Sequence, residues 1–284
     1  MTCTGYLIER YTNMGSAYTC RRLVEEASKL GMTLSIVGVA DVGVAGDGRL
    51  MLSGHELEHR RFAINRYKWG HVVRAINAAC ERSYNRIEPF CRYVDKYEQV
   101  RDVRSAAFRI PKWLLGSAAM GFAAVAEEVG APFVAKGLAS SQGREIWLIQ
   151  DEEDMERLLG SVGPDKELLF EQCITQSLGK DIRVFGVRGE AVACMRRVSH
   201  EGFRANFALG AELSPYPVDE EVRQAVRDVY QTTGLDFFGL DLLGGPGDYW
   251  FCEVNVMAGM EGIERTTGVN VAGRVMQAIG EDVL

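Results

Sequence analysis

A pair of carboxylates stands in a segment whose pattern predicts a β-hairpin. Residues 236–256 read DFFGLDLL, GGPGD and YWFCEVNV, two apolar runs around a turn rich in Gly and Pro. This pattern is typical of two antiparallel strands. With the turn centred on Gly247, Asp241 lies directly opposite Glu253. Two facing carboxylates repel each other unless a cation lies between them, so the hairpin predicts a cation site.

Asn255 completes the predicted cation site. It follows Glu253 by two residues and therefore lies on the same face, and its cross-strand partner would be Gly239, which has no side chain to obstruct it. Mg²⁺ binds one or two carboxylates together with phosphate oxygens and water, so Asp, Glu and Asn without His or Cys favour a metal-nucleotide complex over zinc. The alternative is that these side chains are solvated on an outer sheet face.

Basic residues suited to phosphate lie upstream of the hairpin. Lys136 ends the strand pattern PFVAK and precedes the small-residue loop GLASSQG, whose N–H groups could approach phosphate oxygens. Four arginines join it: Arg183, Arg196, Arg197 and Arg204. Arg204 and Asn206 could clamp a transferred phosphoryl group. The alternatives are a solvated loop lysine and surface arginines paired with Asp181 or Glu190, and there is no Walker or dinucleotide motif.

The elements that must position these residues begin with an α/β pattern in the first third of the chain. Apolar residues at helical spacing predict helices over residues 17–30 and about 71–82, and an apolar run predicts a strand over residues 33–40. A third helix is predicted over about residues 117–129, before Gly130.

From Ala131 onward, short apolar runs joined by tight turns predict antiparallel sheet. The predicted strands cover residues 132–138, 145–150, 168–174, 181–187 and 191–198, with Arg188 and Gly189 as a hairpin turn. A helix over residues 219–233, capped by Asp219 and ended by Gly234, precedes the carboxylate hairpin. Cys252 is expected to face the core, because adjacent strand residues point to opposite faces.

The composition indicates a globular protein that acts on small molecules or other proteins. The 284 residues are 47% hydrophobic, enough for a large core, and the net charge of -7 argues against a general nucleic-acid binder. Seven cysteines without a CxxC pair argue against a disulfide framework and a structural zinc site. No segment resembles a secretory signal or a membrane span, so we expect a cytoplasmic protein without a membrane partner.

Four segments resemble the ATP-grasp superfamily, and in particular its RimK-like branch, the ribosomal-protein S6 glutamate ligase and related amino-acid ligases. They read KDIRVFGV, MRRVSHEGFRAN, GLDFFGLDLL and CEVNVMAGMEGIERTTGVNVAG, and SAYTCRRL and RYVDKYEQV are similar to the family's first helix and first nucleotide-lysine segment. The resemblance covers nearly the whole chain. It implies an α/β (α+β) ATP-grasp fold, with an amino-terminal α/β domain over residues 1–92 and two α+β subdomains, 93–174 and 175–284, that clasp ATP.

The same resemblance implies roles for individual residues. The phosphate contacts would be Lys96, Lys136, Arg204, Ala205 and Asn206, the adenine hinge Gln172 and Cys173, and the ribose neighbour Asp181. The ligands of Mg²⁺, or alternatively Mn²⁺, would be Asp241, Glu253 and Asn255, the three residues that the hairpin pattern selects. The implied reaction transfers the ATP γ-phosphoryl group to a carboxylate, and Arg204, Arg183 and Arg197 would stabilise the developing charge. An amine, such as that of glutamate, then displaces phosphate from the acyl phosphate.

Departures from the family pattern keep other functions open. Ser140, Arg144 and Glu145 stand where relatives carry more glycine, and the segment from Asn206 to Ala211 lacks a His and an Arg of the family. One alternative is a nucleotide-binding scaffold or regulatory module without catalysis, and another is a phosphotransferase that stops at a phosphorylated product. A peptide, a carrier protein or a metabolite could supply the carboxylate, and the chain is compatible with a homo-oligomer.

Overall fold

The computed structural model describes residues 3–68, 70–139, 145–199 and 211–284. Its first sheet is parallel and is built from β1 (Thr4–Glu9), β2 (Thr33–Gly38), β6 (Arg60–Asn65) and β7 (Cys80–Tyr84), in the order β2-β1-β6-β7. Helices α1 (Tyr18–Lys29) and α2 (His71–Ala78) connect these strands, and a small antiparallel sheet of β3 (Val42–Val44), β4 (Leu50–Leu52) and β5 (His55–Glu56) is inserted before β6. The α/β pattern predicted for this part of the chain is confirmed.

Two predicted bounds in this part are wrong. The helix predicted over residues 71–82 ends at Ala78, because the following residues pair with β6, where Arg60 lies opposite Cys80 and Phe62 opposite Arg82. The strand predicted over residues 33–40 ends at Gly38, and a 3-10 helix follows. Pairing within the sheet outweighs the local helical pattern in the first case.

The second sheet is antiparallel and follows two connecting helices, α3 (Ile87–Arg92) and α4 (Lys96–Asp102). Its strands are β8 (Trp113–Gly116), β9 (Phe133–Gly137), β10 (Ile146–Ile149) and β11 (Leu168–Gln172), in the order β10-β9-β11-β8. Helices α5 (Phe122–Val129) and α6 (Glu152–Val162) cover it around a core that includes Val125, Phe133 and Phe170. The helix predicted from residue 117 instead begins as a 3-10 turn that ends at Gly121, whose φ is 80°.

The third sheet is antiparallel and carries the predicted carboxylate hairpin. Its strands are β12 (Lys180–Val187), β13 (Glu190–Val198), β14 (Glu212–Pro215), β15 (Phe237–Gly245) and β16 (Asp248–Asn255), in the order β14-β13-β12-β15-β16. The predicted helix before the hairpin is α7 (Glu220–Thr233), where Asp219 accepts a hydrogen bond from the Val222 N–H and Gly234 ends the helix in a left-handed conformation. Helices α8 (Glu261–Thr267) and α9 (Val271–Val283) follow.

The first and third sheets share one hydrophobic core. Leu7 and Phe62 of the first sheet belong to the same buried cluster as Phe185 of the third. Asn85 joins the two sheets directly, since its Nδ2 donates to the Phe237 carbonyl (2.7 Å) and its Oδ1 accepts from the Phe237 N–H (2.9 Å). This packing places the carboxyl ends of β1 and β6 beside the third sheet.

Each of these three sheets is formed within one of the segments 1–92, 93–174 and 175–284, and the domain division at these bounds stays a prediction. All seven cysteines are free thiols. Within the ranges described, no helix is both long and apolar enough to cross a membrane.

Candidate functional site

Strands β15 and β16 place the predicted metal carboxylates opposite each other. Asp241 pairs with Glu253 and Gly239 with Asn255, which confirms the predicted register. Gly239 serves a further purpose, because a Cβ there would lie only 3.1 Å from Arg183 Cδ. Glycine at this position therefore makes room for an arginine beside the carboxylates.

A β-bulge produces this register. At the turn, Gly245 pairs with Asp248, so an unbroken ladder would set Cys252 opposite Asp241, but the pairing shifts by one residue next to Asp241. The bulge brings Glu253 opposite Asp241. At a bulge, two neighbouring residues such as Cys252 and Glu253 can point to the same side of the sheet. Cys252 is partly exposed and lines the same cavity as Glu253, so the prediction that it faces the core is wrong.

Two arginines bind Asp241 in its buried position. Arg183 donates to both carboxylate oxygens, with Nη2 2.6 Å from Oδ2, and Arg197 Nη2 lies 2.9 Å from the same Oδ2. Burial opposes ionisation, but Arg183 and Arg197 lower the pKa of Asp241 to about 2. The carboxylate is therefore charged at neutral pH.

Arg197 also contacts Asp181, the predicted ribose neighbour. Its Nε lies 2.5 Å from Asp181 Oδ1 and its Nη2 2.7 Å from Oδ2. Burial raises the pKa of Asp181, and Arg197 opposes that rise. The alternative prediction, a surface arginine paired with Asp181, thus names the correct partner. The pair is buried rather than on the surface, because the Arg197 side chain is only 3% exposed. Arg196, the preceding residue, is exposed.

The three predicted metal ligands lie together on β15 and β16, where the Asn255 amide donates to Asp241. Asn255 Nδ2 lies 3.2 Å from Asp241 Oδ2, and Lys96 Nζ lies 3.7 Å from Glu253 Oε2. Two carboxylates and one amide on one face fit a hard cation such as Mg²⁺. In the described ranges, no group of three or more His, Cys, Asp or Glu could hold a metal, so an ion here would depend on Asn255 and on further oxygens such as those of phosphate.

Lys136 and Lys96 approach this group from the second sheet and from α4. Lys136 Nζ lies 2.5 Å from Glu171 Oε2 and 3.4 Å from the Cys252 carbonyl oxygen. Burial opposes its charge, but Glu171 raises the pKa of Lys136. Lys96 is 4% exposed, and its backbone N–H donates to the Leu138 carbonyl (2.9 Å). The Lys136 ammonium is therefore held by Glu171, and the Lys96 ammonium lies beside Glu253.

One cavity links these charges to an apolar slot. Its lining includes Val134, Ile146, Ile174, Leu178 and Leu243 at the apolar part, and Lys136, Asp181, Asp241 and Glu253 at the charged part. The predicted hinge residues Gln172 and Cys173 also line it, but the Gln172 N–H donates to the Lys112 carbonyl (2.8 Å) and is not available to a ligand. An apolar slot beside fixed charges suits a nucleotide base and its phosphates.

Several predicted phosphate residues are not placed. Arg204, Ala205 and Asn206 lie outside the described residues, as do Ser140 and Arg144 of the loop after Lys136. Their roles stay predictions.

Arg183 and Arg197 line a second cavity, of about 290 Å³, between the first and third sheets. Arg66 Nε lies 2.8 Å from Glu9 Oε1, which also accepts from Cys20 Sγ (3.1 Å). Sequence reasoning missed Glu9 and Arg66. Glu9 ends β1 and Arg66 follows β6, and the carboxyl edge of a parallel sheet is where ligands bind in open α/β folds. That position is the signal that could have identified them.

Comparison with known proteins places this geometry in context. Residues 95–279 match the RimK-like ATP-grasp domain. A probable alpha-L-glutamate ligase of Citrobacter koseri is 28% identical over 280 residues, which cover 93% of this chain and 92% of that protein. A ribosomal protein bS6--L-glutamate ligase of Salmonella schwarzengrund matches with the same identity and coverage.

Solved structures share the fold. The ATP-grasp ligase PsnB, in complex with a phosphomimetic variant of minimal precursor, Mg and ADP, superposes with a TM-score of 0.74 and 16% identity over 100% of both chains. The macrocyclase MdnC of Microcystis aeruginosa, bound with precursor peptide MdnA, superposes with a TM-score of 0.68 and 14% identity over 99% of both chains. The predicted ATP-grasp fold is confirmed.

Proposed function

The chain belongs to the RimK-like ATP-grasp family, and we propose that it joins a carboxylate to the amine of an amino acid through an acyl phosphate, using ATP and Mg²⁺. As a member of this family it is an ATP-dependent ligase that forms carbon-nitrogen bonds. The observation that carries the proposal is the opposed pair Asp241 and Glu253 in a cavity that Lys136 and Arg197 also line, with Lys96 Nζ 3.7 Å from Glu253 Oε2.

The first step moves the γ-phosphoryl group of ATP to a substrate carboxylate. The bond between the γ-phosphorus and the bridging oxygen breaks and releases ADP, while a carboxylate oxygen forms the new bond to phosphorus. Lys96 and Lys136 bind and orient the phosphates. Asp241, Glu253 and Asn255 would hold Mg²⁺, which neutralises phosphate charge.

The second step forms the amide. The amine attacks the carbonyl carbon of the acyl phosphate, the carbon-oxygen bond to phosphate breaks, and the nitrogen loses a proton. Arg183 and Arg197 line the second cavity, and Arg197 also lines the nucleotide cavity, so their guanidinium groups are positioned to stabilise the negative charge that develops on phosphate and carbonyl oxygens.

We assign the second cavity to the carboxylate and amine substrates, with Arg66 as a guanidinium that recognises a carboxylate. The proposed partner is a protein or peptide that receives an amino acid such as glutamate. The names of relatives support this, since one is a ribosomal protein bS6--L-glutamate ligase and MdnC was solved with a precursor peptide. The proposal includes a cytoplasmic location and no nucleic-acid or membrane partner.

Release of ADP from Mg-ATP tests the reaction. Candidate amino acids and short acidic peptides are supplied in pairs, and the product is weighed by mass spectrometry. An amide product supports the ligase, an added phosphoryl group indicates a phosphotransferase, and nucleotide binding without ADP release indicates a scaffold. The Asp241→Asn variant, which loses a predicted metal ligand, is the negative control.

Arg66→Gln tests the substrate cavity. Loss of a charged hydrogen bond to a carboxylate should raise KM for the carboxylate substrate about tenfold, while the affinity for Mg-ATP stays unchanged. Arg49→Gln removes the same charge at an exposed site, where Arg49 is 53% exposed, and should leave both values unchanged. Equal KM values for the two variants would remove Arg66 from the substrate site.

A further inference from the structure

Glu9 is an acidic residue of the second cavity to which the roles above assign no task. It ends β1, and its side chain is 9% exposed. Its Oε1 accepts from Arg66 Nε (2.8 Å) and from Cys20 Sγ (3.1 Å). Among the residues described, Arg60 Nε is the only fully enclosed side-chain nitrogen or oxygen without a hydrogen bond. Glu9 Oε2, which accepts none within that set, therefore faces the cavity that Glu9 lines.

The other charged side chains in the wall of this cavity bind partners outside it. Arg183 binds Asp241, Arg197 binds Asp181, and Glu261 binds Arg265 (2.7 Å). In the part of the chain that the structure describes, Glu9 and Arg66 are the ion pair whose two members both line the cavity. The wall therefore presents one negative charge directly beside one positive charge.

This ion pair is not needed to hold the strands together. The ladder between β1 and β6 already pairs Ile8 with Asn65, and the Arg66 backbone N–H donates to the Ile8 carbonyl (2.9 Å). Two charged side chains that are largely buried at the carboxyl edge of a parallel sheet, where ligands bind in open α/β folds, fit a role in ligand recognition better than a role in strand pairing.

The arrangement matches a carboxylate and an ammonium group that lie side by side. A substrate carboxylate at Arg66 would be repelled by Glu9, because the two residues are in hydrogen-bond contact. An ammonium group at Glu9 removes this repulsion and forms a charge-assisted hydrogen bond with the carboxylate oxygen that faces the cavity. An uncharged amine would do neither, so the site favours an amine that is protonated in solution.

We propose that Glu9 binds the ammonium group of the amino-acid substrate and holds it beside the carboxylate that Arg66 binds. This inference rests on the proposed ligase function and on the assignment of the second cavity to its substrates. Both substrates then occupy the cavity together, with the nitrogen next to the carboxyl group that it attacks. Loss of one ammonium proton to water gives the neutral amine that enters the second step.

Glu9→Gln tests this role with two nucleophiles and short acidic peptides as the carboxylate. One nucleophile is L-glutamate, or the standard amino acid that gives the fastest amide formation, and its amino group is protonated at neutral pH. The other is hydroxylamine, which is uncharged there and converts an acyl phosphate to a hydroxamate. KM for the amino acid should rise about tenfold or more. In the hydroxylamine reaction, kcat/KM for hydroxylamine should stay unchanged and KM for the peptide should not rise.

Two further variants accompany Glu9→Gln. Glu281→Gln is the matched control, since it removes the same charge from a glutamate on α9 that is 74% exposed, and it should give wild-type values. Glu9→Asp keeps the charge beside Arg66 but withdraws it by one methylene, so KM for the amino acid should rise by less than in Glu9→Gln. Thermal denaturation checks that each protein is folded, and Glu9→Asp carries the test if Glu9→Gln does not fold.

The outcomes separate this inference from the proposed function. An equal loss with the amino acid and with hydroxylamine would make Glu9 a structural partner of Arg66 and overturn the inference. A KM for the amino acid equal to that of Glu281→Gln would overturn it too, as would a wild type that forms hydroxamate but no amide with any standard amino acid. A wild type that forms neither product would overturn the proposed function itself.

Discussion

Two aspartates in one stretch of the third sheet have opposite electrostatic properties. Asp241 lies within β15, and Asp236 immediately precedes the strand. Against the effect of burial, Arg183 and Arg197 lower the pKa of Asp241 to about 2, whereas burial raises the pKa of Asp236 to about 6. Burial alone disfavours a charged carboxylate, and contact with guanidinium groups is what keeps Asp241 ionised.

The partners of the two aspartates explain the difference. Arg188 Nε lies 3.9 Å from Asp236 Oδ1, but the Nη2 of the same arginine binds Asp282 directly. Asp241 receives both donors of the Arg183 fork and a further one from Arg197. The candidate site therefore directs two arginines at one carboxylate, while at the other end of the stretch Arg188 is shared between Asp236 and Asp282.

Asp241→Asn should have the largest effect on this contrast. A lost metal ligand removes several kcal/mol of charge stabilisation from phosphoryl transfer, so ADP release should fall more than about 100-fold. The free energy of unfolding should also fall by about 3 kcal/mol, because Arg183 and Arg197 lose their buried carboxylate. Steady-state ADP release and denaturant unfolding measure the two effects.

Asp236→Asn is the matched control for that variant, since it makes the same chemical change in the same stretch of chain. It should leave ADP release at the wild-type level. An Asp241→Asn protein that is destabilised but still releases ADP at the wild-type rate would remove Asp241 from the metal site and leave it only a structural role.

Glu171→Gln extends the contrast to a buried cation and should have the next largest effect. Lys136 Nζ lies 2.5 Å from Glu171 Oε2, and the side chains are 7% and 6% exposed. Without that carboxylate the ammonium is buried beside a neutral amide, so the free energy of unfolding should fall by about 3 kcal/mol. Adding Lys136→Met should recover part of this loss, because it removes the buried charge, and chemical denaturation of the single and double variants measures the coupling.

Glu153→Gln is the exposed counterpart, in the α6 pair with Arg157, where the glutamate side chain is 77% exposed. It should change the free energy of unfolding by less than about 0.5 kcal/mol. If Glu171→Gln changed the free energy of unfolding as little as Glu153→Gln, the ion pair with Glu171 would not be what stabilises the buried charge of Lys136.

The carboxylate hairpin could be predicted because its signals are local. Two apolar runs, a Gly-rich turn and the spacing of Asp241 and Glu253 lie within 21 residues. Even so, the pairing of Asp241 with Glu253 depends on a β-bulge at Cys252. A turn centred on Gly247 gives the same pairing, but it does not reveal the bulge. A bulge reflects packing of the whole sheet, so the side on which Cys252 lies could not be predicted from alternation alone.

The contribution of the first sheet to the site was not predictable in the same way. Glu9 and Arg66 are single residues at strand ends, and only the packing of the first sheet against the third brings them to the second cavity. The end of α2 shows the same limit, because residues from Cys80 onward leave the helical pattern to pair with β6. Long-range pairing of this kind leaves little trace in a local pattern.

Asp236→Asn sharpens the contrast through the pH dependence of stability. The pKa of Asp236 is raised in the folded chain, so between about pH 4 and pH 6 the folded chain holds a proton that the unfolded chain has released. This group's contribution to stability is therefore lost as pH rises through that window. Asn has no such proton, so the variant should be more stable than the wild type near pH 7, by about 3 kcal/mol, and equal to it near pH 3.

Denaturant unfolding of the wild type and Asp236→Asn at a series of pH values measures that difference. Asp241→Asn should differ from the wild type in the opposite direction near pH 7, because the folded pKa of Asp241 is lowered and its charge stabilises the folded chain. A wild type and an Asp236→Asn variant with parallel stability curves from pH 3 to pH 7 would mean that Arg188 compensates Asp236 fully. In that case Asp236 and Asp241 would differ in their number of arginine partners but not in their effect on the free energy of unfolding. The contrast between the two aspartates would then not hold.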